Sequence, residues 1–462
     1  MKFLSKVKIT LGLLLAVATF SCAKKKDATS PANIDAKLQL NSSSLQFLSF
    51  ASRDQPPSVD EANSLALEKK TLTGLLSEWL ASPEHSSRIR RYFNDIFGVN
   101  NQIFLIDGEF ILKKNALGIY KLPDKSNCDL STAVQDDAWW LAAGEKVLIC
   151  PTSRSAQITY ASNSIKCPHL GSNGILNASC GCGPKQILCY PSELEVNLIQ
   201  EVRTEFAERG LYAYQQNLTW ADLFGGSFFY GSRLLYHYYL FSQQILPYST
   251  LPSAGDMNTL LSLPISDRAR APFPAGPERA GVVTSPGFMK QFNNFRSRIR
   301  GLTNALLCQD MDPNLNTDNI QTLINPDLSA ADKVHGTQVG CSGCHYAMDN
   351  MGSTLLNWDD NGIYQSWLQA SQSGHAFGVT GTGPGFLMEK FIERGPGFEA
   401  CMAKKAWEEF SGESWDSLNP DTAKQFQSFA SSGPGALLRG ILNSQTFINL
   451  RKPGAKQLPV FH

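Results

Sequence analysis

Past residue 20 the chain has no apolar run near the roughly 18 residues that a transmembrane helix needs, so no membrane-spanning helix is expected in its body. It has no excess charge of either sign: 41 Lys and Arg offset 41 Asp and Glu. That balance excludes a generic nucleic-acid binder or polyanion sponge, and no nucleic-acid partner is expected. It also lacks any Ser-His-Asp, H-E-x-x-H or P-loop pattern, so hydrolase and kinase chemistry have no local support. What it does have is enough apolar residues for a sizeable core, 42% of 462, and a length that fits two or three domains.

Against that background one short segment stands out. Cys341-Ser342-Gly343-Cys344-His345 is C-x-x-C-H, the spacing that covalent haem attachment requires. Two thiols three positions apart on a helix can each form a thioether to one porphyrin edge, and the next residue, His345, can ligate the iron from the proximal face. The expected cofactor is one covalent haem c on Cys341 and Cys344.

Such attachment belongs outside the cytoplasm, and the N-terminus supplies that context. Lys2, Lys6 and Lys8 precede an apolar run from Ile9 to Phe20, too short to span a bilayer. Ala18-Thr19-Phe20-Ser21-Cys22 resembles a lipoprotein processing site, with Thr19 where Leu is usual; the alternative is an ordinary secretory signal. Residues 1–21 are thus read as a signal peptide, Cys22 as the lipidation site and 22–58 as a tether. The protein is then periplasmic or on the cell surface, held to a bacterial membrane through its lipid. Removing Cys22, Cys341 and Cys344 from 11 cysteines leaves eight, an even number that favours disulfides in an exported chain. Six of these (Cys128, Cys150, Cys167, Cys180, Cys182, Cys189) crowd one stretch without the usual zinc spacings. Cys308 and Cys401, at helix ends on either side of the haem motif, are left to pair with each other.

The fold is expected to be mostly α: an N-terminal helical domain over 59–250 carrying an irregular cysteine-rich insertion at 100–190, then a cytochrome c-like haem domain with C-terminal helices over 280–462. Ser82-Pro83 starts a helix whose Ile89, Tyr92, Phe93, Ile96 and Phe97 fall on one face, with Gly98 as its stop. Capping boxes at Ser192/Glu195 and Thr219/Asp222 start two more, the first ending before Gly210. A helix is expected from Arg233 to Ile245, its Tyr236, His237, Tyr238 and Tyr239 run being buried packing. Pro247 to Gly287, with seven prolines, reads as a long surface connection. Helices follow at Phe288 to Leu307, with Arg296, Arg298 and Arg300 as a solvated face or as partners for haem propionates, and after a cap at Ser329 and Asp332. Four more are expected at Gly385 to Glu393, Phe398 to Phe410, Pro420 to Ser431 and Ala436 to Phe447.

The second axial position on the iron decides between electron transfer and catalysis. Met388 is the first candidate, because 43 residues separate it from His345 and a Gly-rich loop at 378–385 can carry the chain round the porphyrin edge. Met402, His335 and His375 are alternatives, whereas Met348 and Met351 lie too close in sequence. Asn357-x-Asp359-x-Asn361-Gly362 and the run from Asp312 to Asp318 imitate calcium loops but lack the bidentate Glu at the twelfth position, so both read as Asx-rich turns. The Gly381-x-Gly383-x-Gly385 stretch is read as a flexible loop, with no strand before it to make it a dinucleotide fingerprint.

From Arg279 onward several motifs follow in order: Arg279-Ala280-Gly281-Val282-Val283-Thr284, Leu306-Leu307-Cys308, His335, the C-x-x-C-H segment, Met348-Asp349-x-x-Gly352, Trp358-Asp359-x-x-Gly362 and Phe398-Glu399-Ala400-Cys401. The series resembles the planctomycete-type cytochrome-domain proteins, exported proteins with helical domains of unknown function around a C-x-x-C-H segment. Leu80-x-Ser82-Pro83, Arg91-Tyr92-Phe93 and Tyr190-Pro191 resemble that family's N-terminal part more weakly. The resemblance implies a c-type haem held by Cys341, Cys344 and His345 and a mostly α architecture, but no settled reaction. One-electron transfer with a redox partner protein is the expected function; a peroxidase-like haem oxidoreductase with an open distal site and a non-haem surface-binding lipoprotein are the alternatives.

Overall fold

The computed structural model describes residues 42–97, 111–123, 125–154, 182, 184–226, 228–244, 253–275, 278–310, 342–360, 362–365 and 373–450. The fold is mostly α. Four helices lead in: α1 (Ser42–Arg53), α2 (Val59–Ala66), α3 (Leu72–Leu80) and α4 (Pro83–Phe97). Next come β1 (Ile111–Lys114), β2 (Tyr120–Lys121), β3 (Val134–Asp137), β4 (Lys146–Ile149), the single turn α5 (Pro151–Arg154) and β5 (Tyr190–Pro191). The middle of the chain forms α6 (Glu195–Gln216), α7 (Trp220–Gly225), β6 (Phe228–Gly231), α8 (Arg233–Gln244), α9 (Ala254–Ser262), β7 (Ala269–Pro272), α10 (Pro286–Gln291) and α11 (Phe295–Leu307). The last part holds α12 (Ser342–Gly352), β8 (Ser373–Ala376), β9 (Val379–Thr382), α13 (Gly383–Arg394), α14 (Phe398–Ser411), α15 (Pro420–Ala430), α16 (Pro434–Leu442) and α17 (Gln445–Ile448).

Two hydrophobic cores hold these elements, and α6 belongs to both. Leu198 and Val202, in its first half, join a smaller core with Trp139, Trp140, Tyr190, Tyr236 and Tyr239. Phe206, Leu211 and Tyr214, further along, join a larger core that runs from Leu45 to Ile448 and draws on both the 59–250 and 280–462 stretches. Each fully buried aromatic contributes about 1.5–3 kcal/mol of transfer free energy. Gly210 lies in the middle of α6, not past its end; the helix continues to Gln216 and stops at Asn217, whose φ of 54° is the left-handed cap. The glycine serves packing instead: a Cβ at residue 210 would lie 2.2 Å from Phe93 Cγ, so its absence lets α4 and α6 close on each other.

Several elements depart from the sequence reading for identifiable reasons. Residues 42–53 are not tether but α1, with Leu45, Leu48 and Ala51 in the large core. Its buried serines hide this from a composition argument, because Ser52 Oγ satisfies itself on the Leu48 carbonyl at 2.7 Å. Within 100–190 the described residues build a five-stranded sheet in the order β3-β4-β2-β1-β5, with disulfides Cys128–Cys150 and Cys182–Cys189. The strands have two to four residues each, too few for period-two alternation to show. Cys167 and Cys180 lie outside the described residues, as do Gly98, Ser329 and Asp332. Residues 247–287 contain α9 and β7, the latter pairing with β6 from Phe228↔Pro272 to Gly231↔Ala269. Pro272 is tolerated there because it ends an edge strand. The expected helix from 288 to 307 breaks at Phe292, since Asn294 caps α11 in a reciprocal box with Ser297. Ser192 does not cap α6; a 3-10 turn over Ser192–Leu194 feeds the helix instead. Thr219 and Asp222 do form their box at the start of α7, and the 436–447 segment divides into α16 and α17.

Candidate haem segment and its surroundings

The C-x-x-C-H segment enters α12. Cys341 lies outside the described residues, and so do the side chains of Cys344 and His345, whose backbone forms the first turn of the helix. Helical spacing puts positions 344, 348 and 351 on one face, and Met348 and Met351 on that face are buried members of the large core. Asp349 stands away from it and pairs with Arg296 of α11.

Three further contacts hold α12 and the segment that follows it. Gly352 meets the Phe295 ring so closely that a Cβ there would lie 2.5 Å from Phe295 Cδ2. Ser353 Oγ donates to the Ser373 carbonyl at the edge of β8 at 2.5 Å. Arg298, 2% exposed, donates to the carbonyls of Phe292 at 3.0 Å, Trp358 at 2.9 Å and Asp359 at 2.8 Å. Of the basic face expected on α11, then, Arg298 is an internal clamp on the segment following α12, and Arg300 pairs with Asp310 on the surface. Burial lowers the Arg298 pKa to about 10, still charged at neutral pH.

The residues present fit a haem in two respects. The α12 face shared with position 344 is apolar and thioether-rich, as a porphyrin wall is. In and just after α12, Asn350 Nδ2, Asn357 Oδ1 and Trp358 Nε1 are buried with no hydrogen-bond partner among the described residues. Two of these are donors, and buried donors are nearly always satisfied in native proteins, so they suit the propionate oxygens of such a group.

Met388 sits on α13 with its side chain fully buried in the large core, its Cβ 3.3 Å from where a Cβ on Gly225 of α7 would stand. Met402, on α14, is equally buried. His375 lies on β8 with Nδ1 3.1 Å from Thr380 Oγ1, while His335 and Cys22 lie outside the described residues. The 378–385 stretch is not a loop: β8 and β9 make a hairpin whose two turn residues, Phe377 and Gly378, have φ of 49° and 82°, and α13 begins at Gly383. A strand therefore does precede the glycines, but Glu278 reaches the Gly385 amide at the helix start. Cys308 and Cys401 form the expected disulfide, with Sγ atoms 2.09 Å apart and Cα atoms 5.3 Å apart. Asp359 Oδ1 accepts from the Ile363 amide, four residues on, at 2.9 Å, which closes the turn between them. No cluster of three or more metal-ligating side chains occurs among the described residues, and no helix among them is long and apolar enough to cross a membrane.

Sequence reasoning missed a buried network beside this segment. The Arg279 guanidinium lies 4.4 Å from the Tyr239 ring centroid and 4.7 Å from that of Trp358. Tyr239 in turn donates to Glu205 Oε1 at 2.6 Å. Burial raises the Glu205 pKa to about 7, against the pull of Tyr239 and the neighbouring arginines. Arg279, Tyr239 and Trp358 each stand out in the sequence, but nothing local marks Glu205 or brings the four together, since they come from α6, α8 and two loops. No protein-family model matches the chain, and no similar curated protein or solved structure was found.

Proposed function

We propose that this protein carries one covalent haem c, bound through thioethers to Cys341 and Cys344 with His345 as proximal ligand, and that it transfers single electrons to or from a redox partner protein. The observation that carries the reading is the C-x-x-C-H segment at the start of a helix whose buried face is lined by Met348 and Met351. Disulfides at Cys128–Cys150, Cys182–Cys189 and Cys308–Cys401 are compatible with the oxidising compartment that haem attachment uses. Lipidation at Cys22 would hold the protein to a bacterial membrane from that side, and the order of motifs from Arg279 to Cys401 supports kinship with planctomycete-type cytochrome-domain proteins. The bound haem would supply the redox couple; this chain would shelter one porphyrin edge with the α12 face and offer Asn350 and Trp358 to its carboxylates.

The distal ligand proposed is Met388, whose side chain would have to leave the large core in which it is fully buried. The burial of both Met388 and Met402 in the core favours, as the second reading, an oxidoreductase with an exchangeable distal site. Expression with c-type maturation machinery should give a full-length band that stains for haem on a denaturing gel. A colourless band, or colour that survives Cys341→Ala with Cys344→Ala, overturns the haem assignment. In the coloured protein, a near-infrared sulfur-to-iron charge-transfer band abolished by Met388→Ala supports the carrier. Carbon monoxide binding to the parent protein supports the oxidoreductase.

A further inference from the structure

Glu205 supplies the carboxylate of the buried network beside the haem segment, and only one of its oxygens is bonded. Oε1 accepts from Tyr239 of α8 at 2.6 Å, while Oε2 is buried with no hydrogen-bond partner among the described residues. An ionised oxygen left bare in the interior is costly, and a proton on it removes that cost. Burial accordingly raises the pKa of this carboxyl to about 7, against the pull of Tyr239, Arg209, Arg268 and Arg279. Arg209, one turn on in α6, donates to the carbonyls of Asp222, Leu223, Gly226 and Phe228. Arg268 pairs at 3.3 Å with Glu201, one turn earlier in α6. Glu201 lines a cavity of about 220 Å³ with the exposed Ile265 at its rim, which brings solvent within one helical turn of Glu205.

On its other side the network runs towards the haem segment. The Arg279 guanidinium contacts both the Tyr239 ring, at 4.4 Å, and the Trp358 ring, at 4.7 Å. Trp358 follows α12, and its Nε1 is one of the buried donors suited to a propionate. The nearby Asp360 is neutralised by Lys290 at 2.9 Å, and the Asp359 carboxyl accepts from the Ile363 amide. These contacts cross protein interior, where a change of charge at one end is screened far less than in water.

We propose that Glu205 is a redox-linked proton acceptor: its Oε2 takes up a proton from solvent when an electron reaches the haem from the redox partner protein, and releases it when the electron leaves. This inference rests on the haem reading above. One electron from the partner reduces ferric to ferrous iron, one proton from solvent forms the O–H bond on Oε2, and no other bond is made or broken. The net charge of the buried site is then the same in both redox states.

The test is spectroelectrochemical titration of the haem-loaded full chain from about pH 5 to about pH 9, two units either side of the Glu205 pKa. The midpoint potential should fall as pH rises through that window, because the ionised carboxylate favours ferric iron. If reduction raises the proton affinity of Glu205 about tenfold, the whole fall is about 59 mV. Glu205→Gln should level the curve. Tyr239→Phe removes a hydrogen bond that favours the ionised form, so the fall should move to higher pH. Reduced-minus-oxidised infrared spectra at neutral pH should show a protonated-carboxyl band that Glu205→Gln abolishes. A colourless parent protein overturns the haem reading and this inference with it. A coloured parent whose potential is flat across the window, or whose fall survives Glu205→Gln with the circular dichroism unchanged, overturns this inference alone. Should Glu205→Gln not fold, a fall that stays in place in Tyr239→Phe, with no carboxyl band in the parent, does the same.

Discussion

Removing the Cys308–Cys401 bridge should cost more stability than removing either of the other two described disulfides. The bridge closes 93 residues, against 22 for Cys128–Cys150 and 7 for Cys182–Cys189. In the chain-entropy relation these loops correspond to about 4.6, 3.4 and 2.4 kcal/mol at 25 °C. The native side of the balance points the same way. Cys308 is the left-handed cap of α11, with φ of 52°, and Cys401 is buried in α14, so the bridge ties two helices of the large core. Between its ends lies the C-x-x-C-H segment, which the bridge therefore returns to the core on both sides. The perturbation is Cys308→Ser with Cys401→Ala, chosen because the first position is exposed and the second buried. Urea unfolding followed by tryptophan fluorescence, run on the oxidised parent and on each double variant, gives the three losses. A loss at 308/401 below about 1 kcal/mol, or one smaller than that at 182/189, would refute the loop argument, because both disagree with the ordering that loop length imposes.

Gly210→Ala should destabilise by about 1–3 kcal/mol through overpacking against the Phe93 ring, and Phe93→Leu should recover part of the loss in the double variant; denaturant midpoints check this. His237 should make the fold acid-sensitive. Its ring is fully buried, stacked on Trp139 at 3.7 Å with Nε2 2.6 Å from the Ile187 carbonyl, and burial lowers its pKa from the ordinary 6.5 to about 3. Above pH 6.5 both states are neutral and the stability is intact; below it the unfolded chain takes up a proton that the native ring refuses. Stability then falls down to about pH 3, by up to roughly 5 kcal/mol, and His237→Phe should flatten that slope. Glu205 acts in the opposite sense: with its pKa raised from 4.5 to about 7, stability falls as pH rises through that window, and Glu205→Gln should remove the fall. Melting temperatures of the parent and both variants between about pH 3 and pH 7, the range set by these shifts, separate the two effects.

The mostly α class was legible from periodicity and caps, because both act within a few residues. The faces of α4 and the Thr219/Asp222 box needed nothing from elsewhere in the chain. The Cys308–Cys401 pairing was legible as well, since elimination left few partners. The C-x-x-C-H segment is also a purely local signal, and it alone names the chemistry proposed here. What tertiary structure decided is everything that depends on contact between distant segments. Gly210 reads as a helix stop in sequence and is a helix interior in space, because only Phe93, more than a hundred residues earlier, gives the missing side chain its purpose. Residues 42–53 look like polar tether until Ser52 is seen bonding to its own helix while Leu45 and Leu48 enter the core. Arg298 looks like surface charge until the carbonyls of Trp358 and Asp359 surround it. A short strand, a buried arginine and a packing glycine share one property: their free energy resides in partners that local sequence does not contain.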